Sequence, residues 1–188
     1  NMSCAGYTLK RFVTDMRRIV SSAEDEADLL YQLVPLAQQV VAERSWLCAE
    51  MFHADPELGF GTSLLHVEAD QSLFVVVDSW LPGRGVQPHD HDTWAVVVGV
   101  EGSERNLFWQ RLDDGHQPGH ARLACIGERS IAAGEALVLP RGSIHSVINP
   151  GDRTSLSFHI YGRHLNYTAR RRFDPERNLE LPFLIETR

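Results

Sequence analysis

From about residue 62 onward the chain is a succession of short runs rich in β-branched and aromatic residues, each cut off by Gly, Pro, Asp or Asn. The runs fall at 62–68, 72–81, 94–100, 105–112, 136–139 and 154–161. Helical periodicity nearly vanishes across this stretch. Most of the chain is therefore expected to be mainly β, one antiparallel sandwich or barrel. Its length agrees, because 188 residues with 43% hydrophobic content supply one core, not two.

Helical signals are confined to the N-terminal side. After Thr8, a suitable N-cap, Leu9, Phe12, Val13, Met16, Ile19 and Val20 share one helical face. A second pattern carries Leu29, Leu30, Leu33, Val34, Ala37, Val40 and Val41, and Pro35 within it predicts a kink or a break into two shorter helices. The expected organisation is a single domain: a helical cap over 1–50, a barrel over 60–165, and a wrapping segment over 166–188. That last segment, with Arg170, Arg171, Arg172, Pro175 and Pro182, has no period and reads as irregular structure.

Charge and cysteine usage exclude some roles. Eighteen Lys plus Arg against 25 Asp plus Glu leave a formal charge of −7, and only Lys10 is a lysine, so nucleic acid is not an expected partner. Cys4, Cys48 and Cys125 are odd in number and widely separated, which fits a reducing compartment better than a disulfide framework. No run approaches the roughly 18 apolar residues of a membrane span, and no secretory pattern opens the chain, so a cytoplasmic location is expected. Asn1 ahead of Met2 reads as an added residue.

The nine histidines carry the chemistry. His89 and His91 are one residue apart, so in an extended segment both imidazoles leave one face as neighbouring nitrogen ligands. Gly83 precedes them by the spacing Gly, five residues, His, x, His, and Gly102 closes the segment. A second block runs from Gly134 through Pro140 and Gly142 to His145 and Asn149. Together the two blocks resemble both motifs of the cupin superfamily. The resemblance implies a cupin barrel (double-stranded β-helix, jelly-roll) behind the helical cap. It also implies a metal held by His89, His91 and His145. Cupins commonly place a glutamate shortly after the His-x-His, where this chain has Trp94, Ala95 and Val96. Three neutral imidazoles then leave the metal its full charge and open positions. Asp90 and Asp92 should point away from the two histidines and act around the site, not in it.

Near the end of the barrel Ser157, His159 and Tyr161 alternate with Leu156, Phe158 and Ile160. A hydroxyl, an imidazole and a phenol on one strand face can hold or pass a proton. This Ser-x-His-x-Tyr resembles the catalytic relay of thiol dioxygenases, the cysteine dioxygenase type I family, over about 60–161. The resemblance implies one Fe(II) per chain, with a small thiol and O2 as substrates and a sulfinic acid as product. It further implies a monomer, and Tyr161 beside the substrate with His159 and Ser157 orienting it.

Mammalian-type members cross-link the relay tyrosine to a cysteine whose position aligns with Ala95, so Tyr161 is expected to be a free phenol. The chain is closer in this to bacterial 3-mercaptopropionate dioxygenases. Phe60 and Thr62 occupy the family's carboxylate-binding positions without offering a charge. Arg170, nine residues beyond Tyr161, falls where the resemblance to 3-mercaptopropionate-type enzymes implies an active-site arginine, which makes it the candidate for a substrate carboxylate, with Arg84 and Arg141 as weaker ones and Trp94 packing near the pocket. The substrate expected is of the L-cysteine or 3-mercaptopropionate type. A metal-dependent cupin acting on a non-thiol substrate, or a non-enzymatic metal-binding cupin, are the competing readings.

Overall fold

A computed structural model describes residues 6–185; Asn1 and Cys4 lie outside them. Two helices, α1 (Leu9–Ser22) and α2 (Glu26–Glu43), precede eleven strands. The strands are β1 (Phe60–His66), β2 (Ser72–Trp80), β3 (Gly85–His89), β4 (Ala95–Glu101), β5 (Ser103–Arg111), β6 (Leu123–Ala132), β7 (Ala136–Leu139), β8 (Ile144–Ile148), β9 (Ser155–Arg163), β10 (Arg171–Asp174) and β11 (Leu179–Pro182). Among the described residues no helix is long and apolar enough to cross a membrane.

Every strand pair is antiparallel, in two sheets of order β1-β2-β9-β4-β7 and β11-β10-β3-β8-β5-β6. Strands distant in sequence alternate between the two faces, as a double-stranded β-helix requires. The five-stranded sheet is buried on both sides. Its outer face, formed by Val75, Val77, Val96, Val98, Leu156, Phe158 and Ile160, packs under Phe12, Met16, Leu33 and Val40 of the helices. Its inner face, formed by Phe74, Val76, Ala95, Val97 and Tyr161, looks into the barrel. Two-sided burial accounts for the near-continuous apolar runs of β2 and β4, in which period two is hard to see.

Thr8 caps α1, its hydroxyl accepting from the Arg11 amide, and Asp25 caps α2 in the same way through Asp28. Pro35 does not break the second helix: α2 is one element of 18 residues. The carbonyl that loses its proline-side donor belongs to Tyr31, which is 83% exposed, so water can satisfy it.

The tail also departs from expectation. Instead of irregular structure, β10 and β11 form a hairpin that joins the six-stranded sheet where Arg172 pairs with His89. Strands β3, β6 and β8 were likewise outside the six expected runs. β3 and β8 are five residues each and bear histidines, and β6 is an exposed edge whose polar residues carry little hydrophobic signal.

Candidate metal centre and its cavity

β3 and β8 lie side by side with His89 opposite His145, and the turn leaving β3 brings His91 to the same point. Gly83 and Gly142, at the turns leading into β3 and β8, have φ of 69° and 91°, values at which a side chain would strain the backbone. The three imidazoles each bring one ligand nitrogen to a common locus, all within 4.8 Å of one another, and all three residues are buried. His89 Nδ1 lies 2.9 Å from the Gln87 carbonyl and His145 Nδ1 lies 3.0 Å from Asn106 Oδ1. These acceptors fix the Nδ1–H tautomers, which turns the Nε2 lone pairs toward the centre.

Two of those atoms, His91 Nε2 and His145 Nε2, are buried without any hydrogen-bond partner. Burial holds all three imidazoles neutral: it pulls His89 down to about 3, and His91 and His145 well below the ordinary histidine value. Neutral, converging, orphaned nitrogens are what a bound divalent metal needs, so the donor set fits one. Among the described residues no carboxylate joins the three.

β9 delivers the second part of the site. Ser157, His159 and Tyr161 face inward, with Ser157 Oγ 2.7 Å from His159 Nε2 and His159 Nδ1 2.9 Å from Tyr161 Oη. The Tyr161 ring lies 5.0 Å from that of His91, so the hydrogen-bonded line ends at the metal locus. Burial, followed by the Asp78 carboxylate, pushes the Tyr161 phenol well above its ordinary value. Ala95 is the cross-strand partner of Tyr161 and fully buried, so the phenol has no thiol beside it there.

Phe60, Thr62 and Arg170 line the cavity next to His89, His145 and Tyr161. Arg170 is held from both sides: Asp92 Oδ2 accepts from the Ala169 amide and Asp90 Oδ1 from the Arg171 amide, at 3.1 and 2.6 Å. Its guanidinium lies over the Phe183 ring at 3.8 Å and donates from Nε to the Phe183 carbonyl, leaving Nη2 buried and unpartnered. Burial brings Arg170 down to about 10, which still leaves it charged at neutral pH. Phe183 and Ile185 also line the cavity and bring the C-terminal segment against it.

Trp94 does not line the cavity. It shares the outward parity of Val96 and Val98 and packs with the helix-facing core, whereas Ala95 and Val97 face inward. Arg84 and Arg141 are also elsewhere, the first bonded to the carbonyls of Pro56 and Glu57, the second to Asp92.

Four residues that were not singled out from sequence belong to the neighbourhood. Asn106 orients His145. Asp78 faces the cavity from β2, its Oδ1 accepting from Thr62 Oγ1 at 2.7 Å and its Oδ2 lying 3.4 Å from His159 Nε2. Trp80 Nε1 donates to Ser157 Oγ at 3.2 Å. Glu104 is buried beside Ser157 and Trp80, and burial raises its carboxyl to about 8. The visible signal for Asp78 was one acid inside an otherwise apolar run.

No protein-family model matches the chain. Among solved structures it is similar to an oxalate oxidase in complex with the substrate analogue glycolate, at 20% identity over 62% of this chain and 59% of that one, TM-score 0.46. The chain thus spans about three fifths of the length of that enzyme. It is also similar to KdgF from Halomonas sp., at 16% identity over 65% of this chain and 96% of that one, TM-score 0.46. A third is a cupin superfamily protein from Desulfitobacterium hafniense, at 11% identity over 56% and 78%, TM-score 0.40. By its own strand topology the chain has the cupin, double-stranded β-helix fold, and inside it stands a three-histidine group with the make-up of a metal site.

Proposed function

We propose that the chain is a mononuclear non-haem iron thiol dioxygenase, taking a small thiol and O2 to the sulfinic acid: R–SH + O2 → R–SO2H. Sulfur is oxidised, O2 is reduced, and both oxygen atoms end on sulfur. The observation that carries this reading is the hydrogen-bonded line from Ser157 through His159 to Tyr161, ending against a three-imidazole group that no carboxylate joins among the described residues. One Fe(II) on His89, His91 and His145 would supply a redox centre and favour the thiolate form of a bound thiol.

The groups around the proton line support one direction for it. Trp80 Nε1 donates to Ser157 Oγ, and burial raises the neighbouring Glu104 carboxyl to about 8, which favours its protonated form. In the direction proposed, Ser157 donates to His159 Nε2, and His159 presents its Nδ1–H to Tyr161 Oη. The Tyr161 proton is then free to point into the cavity. There it donates to negative charge developing on the reacting oxygen or sulfur, without the phenol ionising. Arg170 faces the same cavity with an unused Nη2 and receives a substrate carboxylate, while Phe60 supplies apolar wall.

Protein loaded with iron under argon should consume oxygen on an electrode when given cysteine, 3-mercaptopropionate, mercaptosuccinate or cysteamine, with sulfinic acid formed in equal amount. Tyr161→Phe should keep its iron and lose on the order of a hundredfold in kcat. Absence of uptake with all four thiols would overturn the reading.

A further inference from the structure

Two charged side chains face the cavity from different walls and do not pair with each other. Arg170 arrives on the segment between β9 and β10, and among the described residues it has no carboxylate within 4 Å. Asp78 arrives on β2, its side chain 12% exposed, and its one ion-pair contact is His159. That contact supplies no cation. Burial lowers His159 below its ordinary value, and its Nε2 is already engaged by Ser157 at 2.7 Å, against 3.4 Å to Asp78 Oδ2. Thr62 satisfies Oδ1 alone. Among the described residues no Lys or Arg lies within ion-pairing distance of Asp78, Arg170 acting on it only from the other wall, and a mostly buried carboxylate so placed is costly unless something brings a charge to it.

We propose that the cavity selects a thiol carrying an ammonium group, with Asp78 Oδ2 as the ammonium acceptor and Thr62 holding that carboxylate in place. The thiol comes from the function proposed above, whereas the two charged walls stand independently of it. A substrate with thiol, ammonium and carboxylate on separate arms satisfies the metal locus, Asp78 and Arg170 together. A thiol acid without the amine satisfies Arg170 but sets its negative charge in a cavity that already holds Asp78, a repulsion that Arg170 alone has to offset.

Three ligands separate these contributions, because 3-mercaptopropionate is cysteine without its amine and cysteamine is cysteine without its carboxylate. Iron-loaded protein under argon is titrated with each by calorimetry, so that no turnover is needed. Wild type should bind cysteine on the order of tenfold or more tightly than 3-mercaptopropionate. Asp78→Asn should close that gap with iron content and Tm retained, and Asp78→Glu should restore part of it. If Asp78→Asn does not fold, Thr62→Val serves, since freeing the carboxylate should narrow the same gap.

Equal binding of the two ligands by wild type, or a gap unchanged in a folded Asp78→Asn, would overturn the inference. An Asp78-dependent gap in protein that consumes no oxygen with any thiol would support it while sinking the dioxygenase reading alone.

Discussion

At the scale of single residues, what decides the site is which nitrogen and which oxygen each polar group has left to offer. His145 reaches the metal locus with Nε2 because Asn106 occupies Nδ1. Asn106→Ala should therefore leave the fold in place but weaken metal affinity by roughly 10- to 100-fold, measured by competition with a chromogenic chelator. Unchanged affinity would show that the β8 backbone alone orients the ring. The histidines and the Ser-x-His-x-Tyr strand were legible in sequence because spacing along an extended chain determines which face a residue takes. Asn106, Asp78, Trp80 and Glu104 were not. Each acts on a partner far along the chain, as when Trp80 meets Ser157 across β2 and β9, and such a pairing depends on sheet register that no local pattern encodes.

At the scale of elements, β9 joins two functions through its alternation. Its inward residues form the hydrogen-bonded line from Ser157 to Tyr161, and its outward ones, Leu156, Phe158 and Ile160, seat the helices. Phe158 is fully buried between Phe12 and Trp46, with ring centroids 6.0 and 5.2 Å away. Phe158→Ala should cost about 3–5 kcal/mol in urea unfolding, since it empties the seam between α1 and the sheet. A cost below 1 kcal/mol would mean the seam closes up around the gap. Here the sequence was readable where one face was buried and misleading where both or neither were. Pro35 looked like a breaker because its effect depends on whether Tyr31 meets water. The tail looked irregular because β10 and β11 take their order from pairing with β3, not from any period of their own.

At the scale of the whole molecule, three layers bury an acid in the interior, and this ties stability to pH. Glu104 sits at about 8 in the folded chain against an ordinary 4.5, chiefly through burial and secondarily through the Asp78 charge. The folded state thus keeps a proton that the unfolded state releases. The resulting stabilisation is complete below about 4.5 and is lost as pH rises through about 8. Glu104→Gln, neutral at every pH, should flatten this dependence, so that wild type loses on the order of a few kcal/mol relative to the variant between pH 5 and pH 9. Parallel curves for the two proteins would place the acid in contact with water. The mainly β fold with its two N-terminal helices could be foreseen from composition and run lengths. A titratable group in its middle could not, because burial is a property of the assembled layers.

The segment from His89 to Asp92 supplies two of the three converging imidazoles from its first and third residues and, from its second and fourth, the acceptors that hold the backbone on either side of Arg170. Descendants of this sequence could not readily alter one task without disturbing the other, since a shift of one residue would exchange the two sets. Thr62 and Asp78 stand on a separate pair of strands and carry no such double duty. Heritable change in what the cavity accepts is therefore expected to accumulate on β1 and β2, leaving the histidine turn as the fixed point around which a lineage of related proteins could diversify.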